Sequence, residues 1–360
     1  MTDLVTNPEP VFTVDQQVVG ALTRDAVALA VAEDTHGLRT LELRLLAQGP
    51  KDGADADGIL YLDGRDLDFG SALEVKLGAG DEARTVFSGT VSAIEAAFEV
   101  GEEPFVRVLA EDALMKLRLT RRCKTWKQVS DADIARQLAG LHQLDAQVDA
   151  DGPTYDVVQQ WNQSDLAFLR DRARLVQAEL WVRQGALHFV SRPSRHGNTL
   201  TLTQGVELLS LAVRGDLSHQ RAQVAVSGYD AQKREAIDEK GGADAVQSEA
   251  SRGRTGPSVL ADALGEGLAS LRVREVPLVK GEATAWARAE MLRRARRFVT
   301  AEGTTRGIAA LDVGDQLTLN GIGAPFSGDG YYVTGVRHAW SRDDGFRTHF
   351  EAERLTLNQP

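Results

Sequence analysis

The chain has 360 residues, of which 41 are basic and 52 are acidic, giving a net charge of −11. Hydrophobic residues make up 42% and charged residues 26%, a composition typical of a folded soluble protein with about two to three domains. The acidic balance argues against nucleic-acid binding. No run approaches the roughly 18 apolar residues of a membrane-spanning helix, so we expect no stable membrane insertion.

The N-terminal stretch "MTDLVTNPEPVFTVDQQ" lacks the basic and apolar regions of a secretory signal peptide. Cys123 is the only cysteine, so an internal disulfide is impossible. It lies in the basic run "LTRRCKTWK" without a second thiol nearby, and we expect it to be incidental. These features predict assembly in a bacterial cytoplasm.

Residues 10 to 112 alternate apolar and polar side chains at period two, which indicates half-buried strands. The pattern is clear in "VFTVDQQVV", "RTLELRLLAQ", "RTVFSGTVSAIEAAF" and "PFVRVLAED". Gly-containing turns separate these segments, and Asp52 to Gly58 reads as an acidic surface loop. This part of the chain therefore predicts a small antiparallel barrel or sandwich.

The pattern then changes to that of a short amphipathic helix in "SDADIARQLAGLHQL". Ser130 is a candidate N-cap with Asp133 three residues on, the spacing of a capping box. Ile134, Leu138 and Leu141 fall on one face of the predicted helix.

A second capped helix is predicted in "NQSDLAFLRDRARLV", with Asn162 or Ser164 as the cap. Its apolar stripe contains Leu166, Leu169, Ala173 and Val176. The helix runs into "QAELWVRQGALHFV", where Gln184-Gly185 is suited to a tight turn between two strands. We therefore expect a helix that leads directly into a hairpin.

Strand patterns return in "NTLTLTQGVELLSLAV" and "HQRAQVAVSGYD". Residues 231–275 are small, polar and Gly-rich, which predicts an excursion or a mobile loop. A helix is predicted over residues 284–299, with Thr284 as its cap. Its apolar positions are Ala287, Met291, Ala295 and Phe298. The strands after it predict a second barrel.

The two β-rich blocks have one local similarity. "VFSGTVSAIEAAF" and "PFSGDGYYVTGVRHAW" both place an aromatic-Ser-Gly before an alternating strand. A duplicated architecture explains this similarity, and so does chance.

Known catalytic and metal-binding patterns do not fit the chain. "GAGDEA" at Gly78 to Ala83 matches a dinucleotide fingerprint in letters, but a strand follows where a helix should begin. The acidic loop at Asp52 lacks the EF-hand ligand positions. The seven histidines form no H-E-x-x-H motif, and no G-x-S-x-G elbow exists. We therefore expect no enzyme activity, no catalytic residues, no metal and no cofactor.

One predicted helix carries a concentration of positive charge in this acidic chain. Two interpretations are open: a solvated face with extended side chains, or a surface that docks an acidic partner or a neighbouring subunit. The residues concerned are Arg288, Arg293, Arg294, Arg296 and Arg297.

The segment "QQWNQSDLAFLRDRARLVQAELWVRQGALHF" resembles the phage late control protein D family, the tail hub proteins of contractile-tailed phages, and the hub portion of type VI secretion spike proteins. The matching residues are Trp161, Asn162, Ser164, Asp165, Phe168, Leu169 and Arg170. Three further stretches agree in order, so that the resemblance spans roughly residues 10 to 356. The Gly that this family often has near Gln177 or Ala178 is missing.

The resemblance implies a mainly β fold with α+β insertions: two tube-like β-barrel domains joined by helical segments, in a trimeric ring. It divides the chain into a first barrel at 1–115, a helix-rich connecting domain at 116–195 and a second barrel at 196–360. It implies a structural baseplate hub that adapts a sixfold inner tube to a threefold spike and is expelled with both on sheath contraction. The protein is then expected to be a component of a phage tail or a phage-tail-like particle.

The implied partners are two further copies of the chain in a homotrimer, the inner tube protein, a separate spike protein and baseplate wedge subunits. A tape-measure protein or a cargo protein is a further candidate partner. Two alternative functions stay open: a tail-associated cell-wall hydrolase, and a carbohydrate-binding β module that acts alone.

Overall fold

A computed structural model describes residues 8–50, 57–101, 103–250, 252–265, 269–272 and 276–358. The first part of the chain contains β1 (Val11–Val14), β2 (Gln17–Val18), α1 (Gly20–Asp25), β3 (Ala26–Asp34), β4 (Thr40–Leu46), β5 (Gln48–Pro50), β6 (Asp57–Ile59), β7 (Ala72–Leu77), a 3-10 turn (Gly80–Glu82), β8 (Arg84–Ala97) and β9 (Phe105–Glu111). The middle part contains α2 (Leu114–Leu119), β10 (Arg121–Val129), α3 (Asp131–Leu141), β11 (Asp145–Asp149), β12 (Tyr155–Ser164), α4 (Asp165–Val176), β13 (Ala178–Arg183), β14 (Ala186–Ser191) and a 3-10 turn (Arg192–Ser194).

The last part begins with β15 (Thr199–Thr203), β16 (Leu208–Gly215), β17 (Gln223–Asp230), β18 (Glu235–Gly241), α5 (Ala243–Gln247), β19 (Arg254–Thr255), α6 (Gly256–Leu264) and β20 (Ala269–Arg272). It ends with α7 (Lys280–Arg296), β21 (Val299–Arg306), β22 (Gln316–Asn320), β23 (Gly328–Ser341), β24 (Gly345–Arg354) and β25 (Thr356–Leu357). The fold is mainly β, as predicted. None of the helices described is long and apolar enough to cross a bilayer.

Strands from both ends of the chain join in one 13-stranded sheet. Its path is β16-β21-β24-β23-β3-β4-β9-β8-β7-β1-β2, and β22 branches from β23 and carries β15. The two halves meet where β23 pairs antiparallel with β3, from Gly335 opposite Asp34 to Ser341 opposite Ala28. Within the described residues no pairing closes either half, so the expected pair of separate barrels is not confirmed. Period-two patterns identify strands but not the edges that pair.

The two halves of the sheet nevertheless share one strand order. We call β3, β4, β7, β8 and β9 the first module, and β16, β21, β22, β23 and β24 the second module. If the strands of each module are numbered one to five along the chain, both modules have the spatial order 3-4-5-2-1. This order is β7-β8-β9-β4-β3 in the first module and β22-β23-β24-β21-β16 in the second. A duplicated architecture, one of the two interpretations that the sequence left open, is therefore present in the topology.

Irregularities in strand register fall at matching places in the two modules. β8 has a bulge between Val91 and Ala93 where it pairs with β9, and β23 has one between Val333 and Gly335 where it pairs with β24. β3 has a bulge between Ala26 and Ala28, and β16 has one between Leu208 and Ser210. Because a bulge adds one residue and bends the strand, these matches fix which positions correspond.

The sequence similarity that suggested a duplication does not align with it. Matching the bulges makes Val91 correspond to Val333, so Phe87 corresponds to Asp329 and not to Phe326. The shared aromatic-Ser-Gly is therefore a chance similarity.

The modules differ in what is inserted between their strands. β3 and β4 are joined by a short turn, whereas residues 217–298 lie between β16 and β21. This insertion packs on residues 116–195, which we call the connecting segment. Trp286 and Ala287 of α7 share a hydrophobic cluster with Phe168 and Leu187 of that segment.

Residues 231–275, for which an excursion or a mobile loop was predicted, lie within this insertion. The loop alternative was wrong for their described part, which contains β18, α5, β19, α6 and β20. Residues 251, 266–268 and 273–275 lie outside the described residues, as do residues 51–56 of the predicted acidic loop.

The local helix predictions were mostly correct. Ser130 and Asp133 form the capping box of α3, and Ser164 rather than Asn162 caps α4. Gln184 and Gly185 have φ of 50° and 79°, as a tight hairpin turn requires. Leu141 was wrongly assigned to the buried face, since it is 52% exposed at the end of α3.

Helix α7 begins one turn earlier than predicted, at Lys280, and ends at Arg296. Thr284 is not its cap, because its hydroxyl donates to the carbonyl oxygen of Lys280 inside the helix (3.0 Å). The carboxylate of Glu282 instead accepts the backbone N–H of Leu278 (2.7 Å). The four predicted apolar positions are all buried.

Candidate functional site

The start of α4 is built around one fully buried carboxylate, that of Asp165. Arg122 Nε lies 2.9 Å from Asp165 Oδ2, and His142 Nε2 lies 2.7 Å from the same oxygen. Gln160 Nε2 donates to Asp165 Oδ1 (2.8 Å). Asp165 thus joins α4, α3 and the β10–β12 ribbon, which makes it a structural group.

Arg170 connects the same helix to the first module. Its Nε donates to the carbonyl oxygen of His36, and its Nη2 donates to that of Gly37, each at 2.9 Å. Gly37 has φ of 68°, and a Cβ there would collide with the carbonyl oxygen of Leu180 in β13. The β3–β4 turn is therefore held between α4 and β13, with no room for a side chain.

The remaining motif residues divide between core and surface. Phe168 and Leu169 are buried, and Phe168 stacks on Trp126 with 6.2 Å between ring centroids. Asn162 has φ of 45° and accepts a hydrogen bond from Arg121 Nε at 3.2 Å. Trp161 is 79% exposed, so this part of the motif faces solvent in the single chain.

A partly buried cluster of charges lies where the first module, the connecting segment and the second module meet. Arg39 Nε donates to Glu33 (2.5 Å), and Arg39 Nη2 donates to Asp312 (2.6 Å). Arg183 Nη2 donates to the other carboxylate oxygen of Asp312 (2.9 Å). Burial opposes ionisation of Asp312, but Arg39 and Arg183 outweigh it and lower its pKa. We call these four residues the junction cluster.

A second group of charges fixes the connecting segment to the second module. Buried Glu179 accepts from Arg195 Nη1 at 3.0 Å and from the Tyr332 hydroxyl at 2.6 Å. Arg192 lies between Glu179 and Glu353 and stacks over the Tyr332 ring, 4.1 Å from its centroid. Together with the junction cluster, these contacts determine the position of β13 between the modules.

Three of the five arginines in and directly after α7 form ion pairs inside the chain. Arg293 and Arg294 pair with Glu290 of the same helix, and buried Arg296 pairs with Glu249. The exposed guanidinium groups of Arg288 and Arg297 are the ones left at the surface. Glu290 of the helix and Glu249 of the insertion thus neutralise part of the positive charge, and docking of a partner by this helix stays a prediction.

Two clefts are lined by residues of the described structure. A cleft of about 860 Å³ lies on the outer face of the sheet, with Ala32, Ala212, Glu302, Arg337 and His349 among its walls. A second, of about 600 Å³, lies beside α4 and the end of α7. Across the described ranges, no group of three or more His, Cys, Asp or Glu side chains is placed to hold a metal ion.

Solved structures with a similar fold include components of phage tails and of a secretion apparatus. The 43 kDa tail protein of prophage MuSo2 from Shewanella oneidensis has a TM-score of 0.70 and 12% identity, over 97% of this chain and 98% of its own. The tail protein from Neisseria meningitidis has a TM-score of 0.64 and 12% identity, over 97% of both chains. An E. coli component of the type VI secretion system has a TM-score of 0.56 and 12% identity, over 93% of this chain and 76% of its own. At these identities the likeness establishes the fold.

The family follows from the sequence. The model of the Alg8 N-terminal domain family matches residues 52–341, and the chain belongs to this family. Among curated proteins, none matches the chain.

Replacing Asp165 tests its role as the link between the helices. Asp165→Asn keeps the size of the side chain but removes the charge that pairs with Arg122 and His142. We expect the free energy of unfolding to fall by about 3 kcal/mol, as for other buried ion pairs that lose one partner. Asp171→Asn is the matched control, since Asp171 lies exposed on the same helix and its loss should cost less than about 0.5 kcal/mol. Equal changes in urea denaturation would contradict this role.

His338 should make the junction between the modules sensitive to acid. It is buried in β23 opposite Val31, with Nδ1 3.1 Å from the Thr348 hydroxyl, and burial next to Arg39 lowers its pKa to about 4. Because the unfolded chain has the ordinary pKa of about 6.5, the neutral ring stabilises the fold above that pH, and this stability is lost as the pH falls towards 4.

We therefore expect His338→Gln to flatten the pH dependence of stability. The free energy of unfolding of the wild type, relative to that of this variant, should fall by about 2 kcal/mol between about pH 7 and pH 5. His219→Gln, at an exposed position, should leave the dependence unchanged. Parallel curves for the wild type and His338→Gln would show that His338 does not titrate in this range.

Proposed function

We propose that this chain is the structural baseplate hub of a contractile phage tail or a phage-tail-like injection system. In this role it adapts a sixfold inner tube to a threefold spike and is expelled with both when the sheath contracts. The observation that carries the proposal is the duplicated module: each chain holds two five-stranded units of one topology in a single sheet.

The duplication matters because of symmetry. Three copies of a chain with two similar modules present six similar surfaces towards a sixfold tube, while the parts unique to each chain repeat three times. Here the unique parts are the connecting segment and the 217–298 insertion, which pack together. A homotrimer can therefore match six subunits on one side and three on the other.

The comparisons support this proposal at the level of fold. The neighbours include phage tail proteins and a type VI secretion component said to be similar to the T4 tail proteins gp27 and gp5. The finer assignment to the late control protein D type of hub belongs to our proposal, and so do the partners: inner tube, separate spike, wedge subunits and a tape-measure or cargo protein. The protein then functions as a component of an assembled tail or secretion particle.

We also propose that the hub works without catalysis. The buried carboxylates of Glu33, Asp165 and Glu179 are engaged in ion pairs. Those of Asp112 and Asp315 accept hydrogen bonds from backbone N–H groups. A cell-wall hydrolase would need two carboxyl groups that face each other across a cleft. A lone carbohydrate-binding module is the weaker alternative, because a single module would gain nothing from the duplication.

Affinity purification of the tagged chain from its own host tests the hub role. We expect tube, sheath and spike proteins to co-purify, in particles whose electron micrographs show a threefold element below a sixfold tube. A chain tagged at the same site with Asp165→Asn serves as a control for folding.

Recovery of the chain alone, from cells that contain assembled tails, would refute the hub proposal. Digestion of purified cell wall by the chain would favour the hydrolase, and retention on a polysaccharide column without tail proteins would favour the binding module.

A further inference from the structure

We propose that copies of this chain join through strand pairing: β16 of one copy pairs antiparallel with the unpaired half of β8 in the next. The register is the one that β3 and β23 use inside the chain. This inference deepens the proposed function, because it identifies a second copy of the chain as a partner. Only the number of copies, three, rests on the proposed function.

Among the strand edges that are unpaired within the described residues, those of β16 and of the second half of β8 carry this inference. β16 has β21 as its one neighbouring strand, and its other edge is open apart from a single bridge between Leu208 and Gln204. β8 pairs with β7 only from Arg84 to Thr90, and the backbone of Val91 still bonds to Gly70 and Ser71. Beyond that point, Ala93 to Ala97 have a partner on the β9 side alone.

The second module shows what covers the equivalent edge. β23 corresponds to β8, and its first part pairs with β22 up to Tyr332. Its remaining part, Gly335 to Ser341, pairs on the same side with β3 of the first module. Since β16 is the second-module counterpart of β3, β16 of another copy is the strand that fits the unpaired half of β8.

The matching bulges determine the register of this contact. Aligning the bulge of β8 with that of β23 makes Glu95, Ala97 and Phe98 correspond to Arg337, Ala339 and Trp340. Aligning the bulge of β3 with that of β16 makes Leu29, Ala30 and Ala32 correspond to Leu211, Ala212 and Arg214. Inside the chain, Arg337 lies opposite Ala32, Ala339 opposite Ala30, and Trp340 opposite Leu29.

Transferring these pairs predicts the contact between copies. Glu95 lies opposite Arg214 of the next copy, Ala97 opposite Ala212, and Phe98 opposite Leu211. The pairing thus brings together opposite charges, two small residues and two apolar residues, although none of these features entered the alignment.

The burial of these side chains supports the contact. Trp340 is 4% exposed where β3 covers it, whereas Phe98, at the equivalent position of β8, is 61% exposed. An open strand edge next to an exposed aromatic side chain favours addition of another strand. Arg214 and Glu95 are both exposed, and Glu95 is also within 2.9 Å of Arg107 Nη1 on the neighbouring strand β9, so Arg214 would join an existing ion pair.

The contact is head-to-tail, because its two sides are different strands of one chain. Such contacts either close into a ring or continue as a filament. With each chain adding two modules in the same geometry, closure after three copies gives a ring of six modules.

Cysteine cross-linking of the full-length chain tests the register. In a Cys123→Ser background, Ala97→Cys combined with Ala212→Cys should form disulfides on mild oxidation, giving covalent dimers and trimers and no larger species. Mixing the two single variants should give cross-linked dimers only, while neither forms them alone. Ala93→Cys with Ala212→Cys is the control, because four residues of strand separate these positions by about 13 Å, too far for a disulfide.

Charge reversal tests the pair without cysteines. Glu95→Arg or Arg214→Glu puts like charges opposite each other and should weaken each contact up to about five-fold. The double variant Glu95→Arg/Arg214→Glu should recover trimers in mass photometry. Phe98→Ser should weaken assembly more, with Phe69→Ser as the control at another exposed aromatic side chain.

The outcomes separate this inference from the proposed function. Trimers without the cross-link would overturn the strand pairing and leave the hub role intact. Cross-linked trimers that never associate with tube or spike would support the pairing and refute the hub role. A chain that stays monomeric both alone and in its host would overturn the pairing.

Discussion

The antiparallel pairing of β3 with β23 is the constraint on which the rest of this structure depends. It joins strands almost at the two ends of the chain, and it makes one sheet from two modules that are each an incomplete unit. Everything between these strands has to fit the geometry that their pairing sets: the connecting segment and the 217–298 insertion pack against each other beside the sheet. Within the described residues the outer edge of β16 and the second half of β8 have no neighbouring strand, which links the internal architecture to assembly.

Polar contacts hold this geometry at the junction. The junction cluster of Arg39, Glu33, Arg183 and Asp312 connects three regions of the chain within one set of hydrogen bonds. Buried ion pairs contribute little net stability because each charge loses its hydration, but they tolerate few other arrangements. We therefore interpret the cluster as setting the angle between the modules. A hub that must meet a rigid tube needs a defined angle more than it needs additional stability.

Most features that depend on residues close together in the sequence were predicted correctly. Features that depend on contacts between distant residues were not. The caps of α3 and α4 and the Gln184-Gly185 turn follow from local hydrogen bonds and backbone conformation, so they were predicted correctly. Arg39 pairs with Asp312, 273 residues away, and no local pattern indicates that contact. We interpreted the arginines of α7 as a surface group. Glu290 lies three residues before Arg293 and four before Arg294, the spacing of ion pairs within a helix, and this spacing already indicated internal pairing. The strand edges and bulges, which carry the account of assembly, are visible only in the folded chain.

A reconstruction of the purified, assembled chain by cryo-electron microscopy tests the central claim most directly. The account predicts a closed ring of three chains in which the six modules form one continuous sheet, with β16 hydrogen-bonded to residues 93–97 of the neighbouring copy. A ring in which both edges face solvent, or in which the copies meet through α7 or the β10–β12 ribbon, would contradict it.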